Sequence, residues 1–261
     1  MEKIIFTDLD GSLLDHDNYS FEQAKNALKI TKEKRVPILI CTSKTRAEIK
    51  YWREKLENND PFISENGGGI FIPKNYFSFD FLYSRKDSNY FIIDLGVNYS
   101  RLVQTLNSLK KEFDIRSFSD MAAGEIADDA NLSLSQAKLA MKREYDLPFK
   151  ILNDEQERDI IDELKKRGLK ITKGGRYYHL MGDNDKGEAV KILSELMERK
   201  FGEIYTIGIG DSENDFPMLE VVDSPYIVMK KDGSYSSSDY TLAGGIGPGG
   251  WQKAIEIEME K

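Results

Sequence analysis

Two aspartates separated by one residue stand near the start of the chain, where their carboxylates could hold a cation. Residues 3–7 (Lys-Ile-Ile-Phe-Thr) form a short apolar run that predicts a buried strand, and Asp8 and Asp10 follow it directly. Alternate residues of a strand point the same way, so both side chains can face one point beyond its carboxyl end. Two close carboxylates repel unless a dication or a shared proton relieves them. With a backbone carbonyl and the Ser12 hydroxyl they make an all-oxygen set, for which Mg²⁺ is the first candidate. An ordinary turn is the alternative, because Asp and Gly are common turn residues.

Three more polar clusters occur just after an apolar strand or at the start of a helix. They are Thr42 with Ser43, Lys186 alone, and the group of Asp211, Asn214 and Asp215. Ser43 lies where a predicted strand passes into a helix, and the free N–H groups at such a point attract phosphate. Lys186 falls in the first turn of a predicted helix, where a lysine makes more sense if it faces a bound anion. The plainer interpretations are a helix cap, a surface lysine and a solvated acidic loop.

Together these clusters could transfer a phosphoryl group. A doubly wound sheet would bring all four to one edge, beyond the carboxyl ends of its strands. One aspartate would attack phosphorus and form an aspartyl-phosphate, and a second would protonate the leaving alkoxide and then deprotonate water. Mg²⁺ would bridge the nucleophile and a phosphoryl oxygen, anchored by a distal aspartate. Ser43 and Lys186 would neutralise the remaining phosphoryl oxygens.

The order of predicted elements indicates an α/β fold interrupted by a second domain. Strand–helix–strand–helix order near the start predicts a parallel sheet with right-handed crossovers, and this pattern resumes near residue 185. We therefore predict a doubly wound, mostly parallel, Rossmann-like core made of residues 1–83 and 185–261. Residues 84–184 have a mixed pattern that begins with a strand at 89–95, and we predict that they form an inserted α+β domain.

Two glycine-rich stretches have specific expected structures. Residues 61–73 predict a strand, a glycine-rich loop and a second strand, and this loop either is a simple hairpin turn or reaches the substrate. Residues 225–229 are the last predicted strand. A glycine-rich loop at residues 244–250 is then expected to lead into a helix from Trp251.

Composition excludes several classes of function. The chain has 261 residues, a formal net charge of −8 and a single cysteine, Cys41. The acidic balance disfavours sequence-independent nucleic-acid binding, and one cysteine cannot form an internal disulfide or a cysteine-built zinc site. No apolar run approaches the roughly 18–20 residues that a membrane span needs. We expect a cytoplasmic protein with an anionic small-molecule substrate and with neither nucleic acid nor membrane as partner.

Taken in order, the polar clusters resemble the four motifs of the haloacid dehalogenase superfamily of phosphatases. The matching stretches are Asp-Leu-Asp-Gly-Ser at residues 8–12, Cys-Thr-Ser at 41–43, Lys186, and Gly-Asp-Ser-Glu-Asn-Asp at 210–215. Ser12 stands where threonine is usual, which keeps the hydroxyl.

This resemblance implies a role for each acidic residue. Asp8 would be the nucleophile and Asp10 the general acid and base. Asp8, the Asp10 carbonyl and Asp211 would hold Mg²⁺. Asn214 and Asp215 would support that site without binding the ion.

The insertion between the second and third motifs is similar to the cap of the sugar-phosphatase branch of this superfamily, where the cap governs substrate specificity. Stretches at residues 41–46, 64–68, 142–149 and 174–179 resemble more closely the branch that hydrolyses mannosyl-3-phosphoglycerate. The implied substrate is a phosphorylated sugar-glycerate with a phosphate, a carboxylate and a hexose.

The same resemblance implies a set of substrate-binding residues. Arg143 and Arg176 are candidates for the glycerate carboxylate, because arginine can bind it bidentately. Lys44 belongs to the same predicted set.

Three further members would hydrogen-bond sugar hydroxyls, namely Asn66, Glu144 and His179. Each of these could instead be an exposed surface residue, and His179 could equally be packed within a strand.

Other activities are compatible with the same motifs. The substrate could be another sugar phosphate, such as the glucosyl analogue or sucrose phosphate. A phosphomutase would return the phosphoryl group to a sugar instead of water, and a third class is a non-catalytic phosphosugar-binding protein. The presence of both Asp8 and Asp10 argues against the last, because binding alone needs neither a nucleophile nor a proton shuttle.

Overall fold

The computed structural model describes residues 1–174 and 177–261, and its strands belong to two sheets. In chain order the strands are β1 (Glu2–Thr7), β2 (Ile38–Cys41), β3 (Phe62–Ser64), β4 (Gly69–Pro73), β5 (Arg85–Lys86), β6 (Tyr90–Asp94), β7 (Ile115–Ser117), β8 (Asp146–Ile151), β9 (Lys170–Gly174), β10 (Tyr177–Met181), β11 (Ile204–Gly210), β12 (Ser224–Met229) and β13 (Thr241–Ile246). The helices are α1 (Lys25–Lys34), α2 (Arg46–Lys55), α3 (Tyr99–Leu109), α4 (Ala123–Ala130), α5 (Leu134–Ala140), α6 (Glu157–Lys166), α7 (Lys186–Phe201), α8 (Phe216–Leu219) and α9 (Gly247–Glu260).

The larger sheet has β1 in its interior, between β11 and β2. Its strand order is β13-β12-β11-β1-β2-β3-β4-β6-β5, parallel from β13 to β3 and antiparallel beyond. Successive residues of β1 pack on opposite faces: Ile5 joins the cluster that contains Trp251, and Ile4 joins the one that contains Leu193. Helices thus cover both faces, as a continuous apolar run in a parallel strand predicts. The predicted α/β class with a mostly parallel sheet is confirmed.

The smaller sheet is antiparallel, with strand order β7-β8-β10-β9. Leu106 of α3 and Leu164 of α6 are fully buried in one cluster with Phe149 and Leu180 of this sheet. These two amphipathic helices therefore close its core, consistent with the predicted inserted α+β unit.

Two strands lie in the larger sheet although their sequence positions suggested otherwise. We assigned residues 89–95 to the inserted domain, but β6 pairs antiparallel with β4, and β5 pairs with β6 at the edge. A half-buried alternating strand has the same local pattern in either sheet, so its pairing partner is decided by tertiary packing. The proposed domain limits of 1–83, 84–184 and 185–261 remain predictions.

The C-terminal glycine-rich stretch is also more ordered than we predicted. Residues expected to form a loop instead include β13, and α9 begins at Gly247. A Cβ on Gly250 would lie 2.3 Å from the Gly245 carbonyl oxygen, so the glycines allow strand and helix to touch. Within the described residues, none of the helices has both the length and the apolar character needed to cross a bilayer.

Candidate active site

Asp8 lies at the carboxyl end of β1, bound to a buried lysine. Its backbone N–H donates to Ile209 of β11 at 2.9 Å, which fixes it beyond the strand end. Lys186, at 0% exposure, donates to Asp8 at 2.9 Å and to Asp215 at 2.5 Å. Burial would lower the pKa of Lys186, but Asp215 and Asp8 hold it above its usual range. The ammonium therefore stays charged, and the predicted surface-lysine alternative is wrong.

Asp211 approaches Asp8 from the end of β11. One carboxylate oxygen from each of Asp8, Asp211 and Asp215 lies within 4.8 Å of the others. Burial, opposed by Lys186, raises the pKa of Asp8 to about 6, and burial together with Asp215 and Asp8 raises that of Asp211 to about 8. Burial is the largest cause of both shifts, and the neighbouring carboxylates add to it.

This cluster fits a hard divalent cation such as Mg²⁺. The donors are all oxygen atoms, and a dication would stabilise the ionised carboxylates, whose pKa values are raised by burial first and by mutual repulsion second. Asp215 has its oxygens engaged already: one accepts from Lys186, and the other accepts the backbone N–H groups of Asp211 and Ser212 at 3.0 and 3.1 Å. This favours Asp8 and Asp211 as ligands and Asp215 as their support, which remains a prediction.

Two glycines allow the loops of this cluster to meet. Gly11 has φ of +74°, and a Cβ there would lie 2.7 Å from a carboxylate oxygen of Asp211. A Cβ on Gly210 would lie 2.5 Å from the Asp215 Cβ. Glycine is needed at both points because any side chain would displace a carboxylate.

Asp10 has a different partner from Asp8. One of its carboxylate oxygens lies 2.8 Å from Nζ of Lys44, and no described residue hydrogen-bonds the other, which is buried. Burial would lower the pKa of Lys44, but Asp10 and Glu48 raise it above its usual range. The fixed ammonium holds Asp10 in place and leaves one carboxylate oxygen for a ligand.

Ser43 lies between β2 and α2, as predicted. The cap of α2 is neither Thr42 nor Ser43 but Thr45, whose hydroxyl accepts from Glu48 N–H at 3.2 Å while the Glu48 carboxylate accepts from Thr45 N–H at 2.9 Å. This capping box satisfies the first turn of the helix. The alternative interpretation of Ser43 as a helix cap is therefore wrong.

A cavity of about 530 Å³ joins these residues to the smaller sheet. The region of the larger sheet lines it with Asp10, Ser43 and Lys44, and the region of the smaller sheet lines it with Arg143, Tyr177 and His179, among others. Asp8 is 4% exposed and does not line the cavity. The cavity therefore joins Asp10 of the predicted reaction centre to cationic and hydrogen-bonding groups from the region of the smaller sheet.

Not every predicted substrate-binding residue reaches the cavity. Glu144 does not line it, and its carboxylate is bound by Arg85 at 2.7 Å. The Asn66 side chain is buried and accepts from the Asn214 amide at 3.2 Å. Asn66 and Asn214 thereby tie two loops together. The predicted role of Arg176 lies outside the described residues.

Sequence reasoning missed two buried acids, Glu65 and Asp146. Asp146 contacts both Arg143 and His179, and Glu65 accepts backbone N–H groups from the segment that carries Asp146. The only local signal for Asp146 is an acid at the start of a strand that is apolar except for Lys150.

The raised pKa values predict that Mg²⁺ binding releases protons. At pH 7 most of Asp211, with a pKa of about 8, is protonated, so coordination should release up to about one proton and tighten as the pH rises. The folding stability of the metal-free protein should change with pH in the opposite direction. Because the folded environment disfavours ionised Asp211, the free energy of unfolding should fall as the pH rises from about 4 to about 8. Titration calorimetry with Mg²⁺ in two buffers of different ionisation enthalpy measures this release.

Asp211→Asn is the matched control for proton release. It should abolish the buffer dependence, weaken Mg²⁺ binding and remove the Mg²⁺-induced rise in Tm. Equal apparent enthalpies in both buffers for the parent protein at pH 7 would contradict the arrangement of the cluster.

Comparison with known proteins agrees with this geometry. Residues 5–233 match the family model of the haloacid dehalogenase-like hydrolases. The chain therefore belongs to the haloacid dehalogenase-like hydrolase family.

Two relatives and one solved structure are similar to this chain over most of its length. A glucosyl-3-phosphoglycerate/mannosyl-3-phosphoglycerate phosphatase of Methanococcoides burtonii is 47% identical, over 98% of this chain and 96% of its own length. A mannosyl-3-phosphoglycerate phosphatase of Pyrococcus horikoshii is 38% identical over 87% of this chain and 91% of its own. A sucrose-phosphatase structure from Synechocystis has a TM-score of 0.64 over 100% of this chain and 99% of its own, but at 12% identity it shows the fold alone.

Proposed function

We propose that this protein is a Mg²⁺-dependent phosphomonoesterase that hydrolyses mannosyl-3-phosphoglycerate, with the glucosyl analogue as the nearest further substrate. One observation carries the proposal: a single cavity is lined by Asp10 and Ser43 and also by Arg143 and His179. A phosphate placed beside the first pair leaves the glycerate and sugar beside the second. The names of the two relatives at 47% and 38% identity support this choice of substrate.

In the first step, a carboxylate oxygen of Asp8 attacks phosphorus and the bond from phosphorus to the glycerate oxygen breaks. Lys186 holds Asp8 in place, and its fixed charge favours the ionised nucleophile. Protonated Asp10 gives its proton to the leaving alkoxide through the carboxyl oxygen that no described residue bonds. The products are free mannosylglycerate and an aspartyl-phosphate at Asp8.

In the second step, Asp10 accepts a proton from water as the water oxygen attacks phosphorus. The bond between Asp8 and phosphorus breaks, which returns the Asp8 carboxylate and releases inorganic phosphate. Asp8, Asp211 and the Asp10 carbonyl would hold Mg²⁺, which would supply electrostatic stabilisation to the phosphoryl oxygens. The Ser43 hydroxyl would donate a hydrogen bond to the same group.

A substrate panel tests this function. Phosphate release with Mg²⁺ is measured for mannosyl-3-phosphoglycerate, glucosyl-3-phosphoglycerate, sucrose 6-phosphate and simple hexose phosphates. We expect kcat/KM for the glycosyl phosphoglycerates to exceed that for hexose phosphates by about 100-fold or more, because the cavity's polar groups stay unpaired with substrates that lack a carboxylate. EDTA is the matched control and should stop turnover of every substrate.

Other outcomes of the panel separate the chemistry from the substrate. Equal activity on all sugar phosphates would support the hydrolase activity but contradict the assignment of a glycerate-bearing substrate. Transfer of the phosphoryl group to a sugar without phosphate release, dependent on a sugar diphosphate, would instead indicate a phosphomutase.

A further inference from the structure

Asp146 is a buried acid placed directly behind two residues of the cavity. It is 0% exposed, and the same carboxylate oxygen lies 3.2 Å from Nη1 of Arg143 and 2.8 Å from Nδ1 of His179. Arg143 and His179 line the cavity, whereas Asp146 does not. Neither the hydrolysis steps nor the cation site uses this acid, so its position needs another explanation.

The contact with Asp146 determines what His179 can offer a ligand. When Nδ1–H donates to the carboxylate, Nε2 of the neutral ring is the acceptor that remains. The acid thus selects one tautomer and one ring orientation. An imidazole so oriented can accept a hydrogen bond from a sugar hydroxyl.

Arg143 is held by the Asp146 carboxylate and by the loop that carries Ser43, the proposed phosphate-binding residue. Its Nη1 donates to Asp146 and, at 3.0 Å, to the Ser43 carbonyl oxygen, while its Nε donates to the Ala140 carbonyl oxygen at 3.0 Å. No described residue accepts from Nη2. This leaves one edge of the guanidinium for an anionic ligand, at a fixed distance from Ser43.

Glu65 fixes the backbone from which Asp146 and Arg143 extend. This fully buried carboxylate accepts the backbone N–H groups of Glu144 at 3.0 Å, Tyr145 at 2.9 Å and Asp146 at 2.8 Å. These bonds join the loop after β3 to the start of β8.

The loop that carries Glu65 is tied in turn to the loop that carries Ser43. The Glu65 N–H donates to the Lys44 carbonyl oxygen, and the Asn66 N–H donates to that of Thr42, both at 3.1 Å. A continuous series of hydrogen bonds therefore runs from the loop that carries Ser43 through Glu65 to Asp146.

We propose that Asp146, with its backbone held by Glu65, is a positioning residue that makes the enzyme selective for phosphate esters bearing a carboxylate and sugar hydroxyls. It acts through Arg143 and His179 and touches no reacting atom. This inference rests on the proposed function, because it concerns the non-phosphate part of that substrate.

Asp146→Asn tests the inference, with two substrates measured in parallel. Asparagine keeps the volume but removes the charge that both partners share. We expect kcat/KM for mannosyl-3-phosphoglycerate to fall by about 10- to 100-fold, mainly through KM, as for loss of hydrogen bonds to a charged group. For p-nitrophenyl phosphate, which lacks carboxylate and sugar, kcat and KM should stay within about threefold. Asp223→Asn is the control, since the Asp223 carboxylate also accepts hydrogen bonds, from the Thr206 N–H and hydroxyl, both at 2.7 Å, but does not line the cavity.

A double-mutant cycle with His179→Gln distinguishes positioning from general packing. If Asp146 acts through His179, the combined loss on mannosyl-3-phosphoglycerate should be clearly smaller than the product of the single losses. Losses that multiply, or equal losses on both substrates, overturn the inference while leaving the proposed function intact. Should Asp146→Asn fail to fold, Glu65→Gln is measured in the same way and should give the same selective rise in KM. Failure of the parent protein to hydrolyse either glycosyl phosphoglycerate would overturn the proposed function and this inference together.

Discussion

Asp8→Asn is expected to abolish turnover of every phosphate ester while the fold persists. The asparagine amide has nearly the same shape as the carboxylate, but it lacks the charge needed to attack phosphorus. Removal of a nucleophile that acts in concert with other groups typically costs about 10⁴-fold or more in kcat. We expect a loss of that order both for mannosyl-3-phosphoglycerate and for p-nitrophenyl phosphate, measured as phosphate release with Mg²⁺.

Thermal unfolding in EDTA is the control for the Asp8 variant. Ionised Asp8 is disfavoured by burial, so a neutral side chain should not lower the Tm of the metal-free protein near pH 8. Lys186 would retain Asp215 as its partner. An active variant, or one in which a radiolabelled phosphoryl group is still trapped on the protein, would refute the assignment of the nucleophile.

Asp10→Asn is expected to slow both chemical steps, by an amount that depends on the leaving group. General acid–base catalysis contributes about 10²- to 10⁴-fold, and the sugar-glycerate alkoxide needs a proton much more than p-nitrophenolate does. We therefore expect a loss near the upper end for mannosyl-3-phosphoglycerate and a smaller one for p-nitrophenyl phosphate. With the latter substrate the aspartyl-phosphate should accumulate, because its hydrolysis still needs a base.

Rapid-quench measurement of the phosphorylated protein tests the Asp10 prediction directly. The matched control is Lys44→Gln, which keeps the Asp10 carboxyl but removes the ammonium 2.8 Å from it. In that variant the loss of activity should not depend on the leaving group, so it should be similar for mannosyl-3-phosphoglycerate and p-nitrophenyl phosphate. It should appear as weaker substrate binding. Normal decay of the phosphorylated intermediate in Asp10→Asn would show that another group serves as the base.

The acidic strand ends could be predicted because their signals are local. Asp8 and Asp211 each follow a continuous apolar run, and the parallel order of such strands places their carboxyl ends at one edge of the sheet. The capping position of Asp185 before α7 is equally local, and its side chain accepts from Glu188 N–H at 2.9 Å, as its spacing predicts.

The features that could not be predicted depend on contacts distant in the chain. Glu65 and Asp146 are 81 residues apart, and nothing near either acid indicates that one accepts a hydrogen bond from the other's backbone. The same is true of β6, whose pattern fits either sheet. In β13 the glycines that allow close packing against α9 also prevent the strand from being predicted from the sequence, since glycine has low strand propensity.

The position of β1 between β11 and β2 in the larger sheet has a consequence for how the protein is made. This strand pairs with β11 some 200 residues later, and the Trp251 indole donates to the hydroxyl of Thr7, next to Asp8, at 3.0 Å. At about 5–20 residues per second, the ribosome needs roughly 10–40 s to supply that partner strand. During this interval the segment that ends in Asp8 is apolar and lacks its pairing partner on one side. Newly made chains should therefore depend on chaperones until the C-terminal region emerges, and slower translation should lower the yield of active enzyme.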